Sequence, residues 1–237
     1  MEKIFLNYLK KTSPVWFYLN TRASNGELNM LCDEYLLDSF VTGKIQYPVF
    51  RIYGWSESTI SLGRNQKLNE ATKLLYGDLP VVRRMTGGQG VLHGLVDSEL
   101  TYSLVFSSCG AVKKLYYEIG QILIFFLKRL KLSGSYGLSE NYLSSFDCFN
   151  SHTTSDIVVN DIKVIGSAQK IVRDTKIKTK FVFQHGSIKL DLINRLSGGC
   201  IDFTEAAHHL KYSFESLLDI QFLDYSLEGK DYDYCLQ

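Results

Sequence analysis

Apolar positions recur along the chain at two spacings, one helical and one strand-like. After Ser24-Asn25-Gly26-Glu27, which has the form of a helix capping box, Leu28, Leu31 and Tyr35 follow at helical spacing and predict a first amphipathic helix. Leu115, Ile119, Ile122, Phe126 and Leu130 repeat every three to four residues over more than four turns, the strongest helical signal in the chain. Phe203 to Leu218 also reads as helical. Between these stretches lie short β-branched and aromatic runs. Val49–Tyr53 and Thr59–Leu62, with Gly54 and Ser56 between them, predict a pair of strands joined by a turn. Val81-Val82-Arg83-Arg84, a glycine-containing break and Leu100–Phe106 read as strand, loop, strand. Asp156–Val159 and Ile162–Ile165 flank Asn160-Asp161, a dipeptide that tolerates the positive φ of a tight hairpin. A further strand pair is expected over Phe181–Leu190. Helices and strands interleave with no repeat, linker or boundary, so residues 1–237 are expected to form a single domain.

Bulk composition narrows the partners. Twenty-six Lys and Arg against twenty-five Asp and Glu leave a net charge of +1, too balanced for a chain held mainly by nucleic-acid phosphates or anionic lipid. Neither nucleic acid nor membrane is expected as a partner. Met1–Lys10 lacks the apolar stretch and cleavage site of a leader, and no run approaches the length of a membrane span. The five cysteines (Cys32, Cys109, Cys148, Cys200, Cys235) are odd in number and show no metal-ligand spacing, which fits a reducing interior, cytoplasmic or within an organelle.

Three segments carry candidate chemistry. Arg83-Arg84-Met85-Thr86-Gly87-Gly88-Gln89-Gly90-Val91-Leu92-His93 places three glycines within four residues, where backbone can approach a ligand closely. Its spacing matches neither a P-loop nor a dinucleotide fingerprint. On the strand Ile162–Ile165, alternation puts Lys163 on the face of Val159 and Ile165, among apolar side chains, and Gly166-Ser167-Ala168-Gln169 follows. A surface lysine reaching off an edge strand is the plainer reading of that position. In Gln184-His185-Gly186-Ser187-Ile188 a histidine precedes two small residues. By itself it reads as a structural histidine.

Taken in order, these segments resemble the lipoate-protein ligases and octanoyltransferases, relatives of the biotin ligases. The resemblance runs over residues 27–190, including Tyr53-Gly54-Trp55 and Ile60-Ser61-Leu62-Gly63-Arg64-Asn65-Gln66. The family's two arginines, Thr-Gly-Gly, Val and His are met by Arg83, Arg84, Thr86, Gly87, Gly88, Val91 and His93. Its Lys with Gly-Ser-Ala-Gln is met by Lys163 and Gly166–Gln169, and its His-Gly-Ser/Thr strand by His185, Gly186 and Ser187. Gln89, Asp161 and Lys170 depart from the usual residues.

The resemblance implies an α+β fold with a mixed sheet packed by helices, an acyl tunnel between the glycine loop and the lysine strand, and Lys163 as the active-site lysine. Arg83, Arg84, Thr86, Gly87, Gly88, His93, Gly166, Ser167, Ala168, His185 and Gly186 would bind substrate. Within the family, Asp147-Cys148-Phe149-Asn150 resembles the loop in which one octanoyltransferase branch carries a nucleophilic cysteine. That implies transfer of octanoyl from acyl carrier protein through a Cys148 thioester. The acceptor would be a lysine of a lipoyl carrier domain, such as glycine-cleavage H protein or a 2-oxoacid dehydrogenase lipoyl domain. No cofactor would be needed. The nearest alternative is a lipoate-protein ligase using ATP and Mg. A biotin ligase, a non-catalytic acyl-binding or carrier-interaction protein, and a metallohydrolase using Cys148, His152 and His185 are the remaining alternatives.

Overall fold

A computed structural model describes residues 6–68, 70, 76–137, 149, 155–175 and 179–227. Two sheets organise it. The larger has eight strands: β1 (Val15–Ser24), β2 (Val49–Trp55), β6 (Glu99–Ser108), β7 (Ser135–Tyr136), β8 (Ile157–Val159), β9 (Ile162–Asp174), β10 (Thr179–Lys189) and β11 (Gln221–Asp224). Their spatial order is β11-β1-β2-β6-β10-β9-β8-β7, with β1 parallel to β2 and β11 and the remaining pairs antiparallel. The smaller sheet sets β3 (Thr59–Leu62) between β4 (Val81–Arg83) and β5 (Val91–His93). This is the mixed-sheet α+β architecture expected from the sequence.

Among the described residues four α-helices close the layers. α1 (Gly26–Val41) starts where Asn25 caps it, accepting a hydrogen bond from the Leu28 amide. It covers one face of the large sheet, packing Tyr35, Leu36 and Phe40 with Val49, Val105 and Phe183. α2 (Val112–Arg129), α3 (Leu190–Ser197) and α4 (Phe203–Leu218) cover the other face, against Phe50, Ile52, Leu100, Leu104, Phe106 and Val182. α2 carries the heptad-like stripe read from the sequence, and Leu115, Ile119, Ile122 and Phe126 are all fully buried.

Several strand expectations change. β2 and β3 are not partners but lie in different sheets, because β2 is claimed on both edges by β1 and β6. The expected strand pair over Phe181–Leu190 is one long strand, β10, hydrogen-bonded to both β6 and β9. β9 runs on from Ile165 through Gly166-Ser167-Ala168-Gln169 to Asp174, so it is an interior strand and not an edge. The Asn160-Asp161 turn is as expected, both residues having positive φ (50° and 61°).

Candidate active site

Strands β2, β6 and β10 lie side by side at the middle of the large sheet, and their side chains alternate between its faces. Even-numbered residues meet α2, α3 and α4. Odd-numbered residues meet α1 and the small sheet, and on this side they are mostly polar: Arg51, Tyr53, Glu99, Thr101, Ser103, His185 and Ser187, all buried. Above them opens a cavity of about 70 Å3, with an apolar part made by Met30, Tyr53, Trp55 and Val91. Of the residues singled out from the sequence, Arg84, Gly87, Gly88, His93, Gly166, Ser167, Ala168, His185 and Gly186 line it. Thr86 stands behind His185, and Arg83 lines a neighbouring groove with Glu27, Glu34 and Glu57. Cys148 and His152 lie outside the described residues; Phe149, bonded to Cys148, lines the cavity.

Arg84 holds the glycine loop and Arg83 the facing Gly63–Gln66 segment. Arg84 donates to the Ser61 carbonyl (2.7 Å) and hydroxyl (3.1 Å) from Nη1, and to the carbonyls of Gly87 (3.1 Å) and Gln89 (2.6 Å) from Nη2. Arg83 donates from Nη1 to the carbonyls of Gly63, Arg64 and Gln66. Gly88 has φ of +98°, and a Cβ on Gly63 would lie 2.0 Å from the Gly88 carbonyl oxygen. The two backbones therefore touch, which only a glycine at position 63 permits.

Glu99 is the hub of one buried network. Its Oε1 meets His93 Nδ1 at 2.6 Å and accepts from the hydroxyls of Ser187 (2.6 Å) and Thr101 (3.2 Å), while Oε2 accepts from the Lys189 ammonium. Burial alone would raise its pKa, but the charge of Lys189 and the hydrogen bonds to His93 and Lys189 outweigh it and hold the carboxyl well below its usual range. His93 is shifted down by burial, which exceeds the opposing pull of Glu99, so it is the neutral imidazole. Its ring stacks on Trp55 with centroids 3.8 Å apart, and its Nε2 lies 2.7 Å from Ser61 Oγ.

Asp33, on α1, is the hub of the second. Oδ1 accepts from Arg51 (2.7 Å) and Ser103 (2.8 Å), and Oδ2 from the Tyr53 hydroxyl (2.9 Å). Burial pushes its pKa up, yet Arg51 and the surrounding donors bring the net shift below the normal carboxylate value. His185, lowered by burial, pairs its Nε2 with Thr86 Oγ1 at 2.7 Å, but its Nδ1 is 3.7 Å from Asp33, beyond a hydrogen bond.

At the third corner, Lys163 is 4% exposed and its Nζ lies 3.1 Å from Asp156 Oδ2; a register shift pairs it with Val158 and sets Val159 opposite Ile162, so Lys163 does not share the face of Val159 that simple alternation suggested. The Phe149 ring is within cation–π reach of two ammonium groups, Lys163 at 5.0 Å and Lys189 at 4.8 Å. Gly166 leaves room for this arrangement, since a Cβ there would come within 2.8 Å of Lys163 Cε. Ser167 contributes backbone to the cavity wall while its hydroxyl is turned towards Tyr102, 2.8 Å away. Among the described residues no group of His, Cys, Asp and Glu converges as a metal site would require.

Glu99, Asp33, Ser61 and Lys189 were not singled out from the sequence. A signal existed in β6, where Glu99, Thr101 and Ser103 alternate with Leu100, Tyr102 and Leu104. Alternation of this kind normally marks a face in water, yet here both faces are buried and the polar one is the site.

A mixed sheet thus brings the glycine loop, the lysine strand and the histidine strand together at one cavity. The chain belongs to the lipoyl protein ligase A/B catalytic domain family, which it matches over residues 25–202. It is 32% identical over 192 residues to octanoyltransferase LipM of Clostridioides difficile (74% of this chain, 66% of that protein). To octanoyltransferase LipM of Geobacillus kaustophilus it is 34% identical over 199 residues (77% and 68%). The chain thus spans about two thirds of the length of the curated relatives it matches. The fold is also that of a lipoate-protein ligase A crystallised with ATP, with a TM-score of 0.68 at 20% identity over 94% of this chain and 93% of that one. The bi-partite lipoate protein ligase of Thermoplasma acidophilum gives 0.69 at 16% identity over 94% and 91%. No helix among the described residues is long and apolar enough to cross a membrane.

Proposed function

We propose that this chain takes an octanoyl group from acyl carrier protein as a thioester on Cys148 and passes it to one lysine of a lipoyl carrier domain. The acceptor class is that of glycine-cleavage H protein or a 2-oxoacid dehydrogenase lipoyl domain, met in the cytoplasm or an organelle interior. The observation that carries the reading is Phe149. It lines the cavity beside the ammonium groups of Lys163 and Lys189, and the peptide bond ties it to Cys148. The relatives named octanoyltransferase support the same reading.

An ammonium near a thiol raises the thiolate fraction. In this scheme the Cys148 thiolate attacks the donor carbonyl, the C–S bond to the donor breaks, and the acyl group moves to the enzyme. The acceptor amine then attacks the same carbonyl, releasing the Cys148 thiol and forming the amide. In this scheme backbone amides of the cavity-lining Gly87, Gly88 and Gly166 would hold the oxyanion. Each methylene buried against the apolar lining contributes about 0.8 kcal/mol. Neither nucleotide nor metal enters any step.

Incubation with octanoyl carrier protein in the absence of ATP should add one octanoyl group to the intact mass. Cys148→Ala should lose both the adduct and transfer, and Cys148→Ser should be nearly as inactive, a hydroxyl being far less ionised than a thiol. Lipoyl-adenylate formed from ATP at the same rate by wild type and Cys148→Ala would overturn the thioester route in favour of the ligase reaction.

A further inference from the structure

Ser61 has no part in the transfer just described, yet its surroundings are those of an activated nucleophile. It belongs to β3, the middle strand of the small sheet, and lines the same cavity. His93 Nε2 is 2.7 Å from its Oγ, and Glu99 Oε1 is 2.6 Å from His93 Nδ1. With Glu99 ionised, the Nδ1–H of His93 points to the carboxylate and Nε2 is left to accept the Ser61 proton. Arg84 Nη1 donates to Ser61 Oγ at 3.1 Å, placing positive charge where an alkoxide or oxyanion develops. Glu99 is in turn fixed by Ser187, Thr101 and Lys189, so the orienting group is itself held.

The second carboxylate–histidine–hydroxyl arrangement shows what is special here. In Asp33–His185–Thr86 the carboxylate is 3.7 Å from the ring nitrogen, and Thr86 does not line the cavity. Ser187 does line it, but its hydroxyl donates to Glu99 and so has no base to take its proton. Ser61 alone of the three hydroxyls combines an oriented base with a place on the wall of the partly apolar cavity.

We propose that Ser61, His93 and Glu99 form a second nucleophilic centre that hydrolyses medium-chain acyl thioesters held in the cavity. Ser61 Oγ attacks the thioester carbonyl as its proton passes to His93 Nε2. The C–S bond breaks and the leaving sulfur takes that proton. Water then attacks the Ser61 ester, giving a proton to His93; the C–Oγ bond breaks, the proton returns to Ser61, and a free carboxylic acid leaves. Water is the only co-reactant. The inference rests on the acyl-binding reading of the cavity and is independent of Cys148.

The test uses the Cys148→Ala full chain, which lacks the transfer nucleophile, and an octyl fluorophosphonate as probe. One adduct is expected, mapped by peptide mass to Ser61, forming at least about tenfold faster than with the methyl analogue, whose chain fills none of the cavity. The same variant should release thiol from octanoyl carrier protein, and His93→Gln in that background should slow both readouts by about a hundredfold or more. An adduct on any residue other than Ser61, or no adduct, overturns the proposal. Because the labelled protein keeps Ser61, His93 and Glu99, a misfolded variant cannot mimic that result. A Cys148 thioester in wild type without a Ser61 adduct leaves the transfer reading standing and removes this one. A Ser61 adduct with no thioester on Cys148 does the reverse.

Discussion

Strands β2, β6 and β10 present two faces of very different chemistry, although both are buried. Phe50, Ile52, Leu100, Leu104, Phe106 and Val182 meet three helices and form an apolar core. One residue along, Arg51, Glu99, Thr101, Ser103, His185 and Ser187 meet α1 and the small sheet through hydrogen bonds and charge. The apolar face is stabilised by removing surface from water. The polar face must first offset the desolvation of two carboxylates, and it does so only with every partner in place. Fold and site are thus built from the same strands, with one face tolerant of small changes and the other intolerant of any missing partner.

The largest expected effect breaks the polar face. Arg51→Leu strands Asp33 in the interior and should cost about 4 kcal/mol at neutral pH. Leu104→Ala on the opposite face should cost about 3 kcal/mol through the cavity it leaves. Urea unfolding of both across pH separates them, since the Arg51→Leu penalty should shrink in acid as the stranded Asp33 takes up a proton, while the Leu104→Ala penalty should stay level. A pH-independent Arg51→Leu loss would mean the pair contributes packing only.

A smaller effect concerns wild type. His93 and His185 are held neutral in the fold by burial, with pKa values below 6.5. Unfolded histidines bind protons below about pH 6.5, so the unfolded state gains protons that the folded state refuses, and stability should fall as pH drops through that value. The depressed carboxyl of Asp33 adds its own loss only further into acid, below its ordinary 3.8. Thermal unfolding between pH 7.5 and 5 measures the first slope, and a flat profile would show that the histidines are charged in the fold.

The smallest is Gly88→Ala. A φ of +98° and a new Cβ 3.0 Å from the Arg84 guanidinium should cost about 1–2 kcal/mol of stability while displacing backbone from the cavity wall. Acyl transfer should fall by more than stability does; equal losses would place the loop away from the substrate.

The sequence displayed local features well. The α2 stripe, the span Phe203–Leu218 and the Asn160-Asp161 turn depend on residues near one another in the chain, and the structure agrees with each, while the cap of α1 is Asn25, one residue after the Ser24 that a Ser24–Glu27 capping box would use. Partner choice among strands is different. Short apolar runs such as Thr59–Leu62 do not state which edge they will join, so β2 and β3 read as a pair, and β1, with its polar second half and a bulge near Arg22, was not read at all. The site was legible as motif segments. Glu99 and Asp33 were not, because a charged residue in an alternating strand or helix looks solvated until its partners on other elements, such as Arg51 and Ser103 for Asp33 and Ser187 and Lys189 for Glu99, are known.

The placement of β10 also bears on how the chain is made. It is among the last strands to be synthesised but lies between β6 and β9 at the centre of the sheet. Until residues 179–189 emerge, the nascent chain carries β6 with one edge open and Glu99 without Ser187 or Lys189. An ionised inward-facing carboxylate on an open strand edge disfavours pairing with a stranger's strand, since that partner would have to bury the charge unmatched. Ser187 and Lys189 supply the match, so the edge accepts the chain's own β10 and resists others. The residue that orients His93 in the finished site thus gains its full set of partners only when β10 is in place.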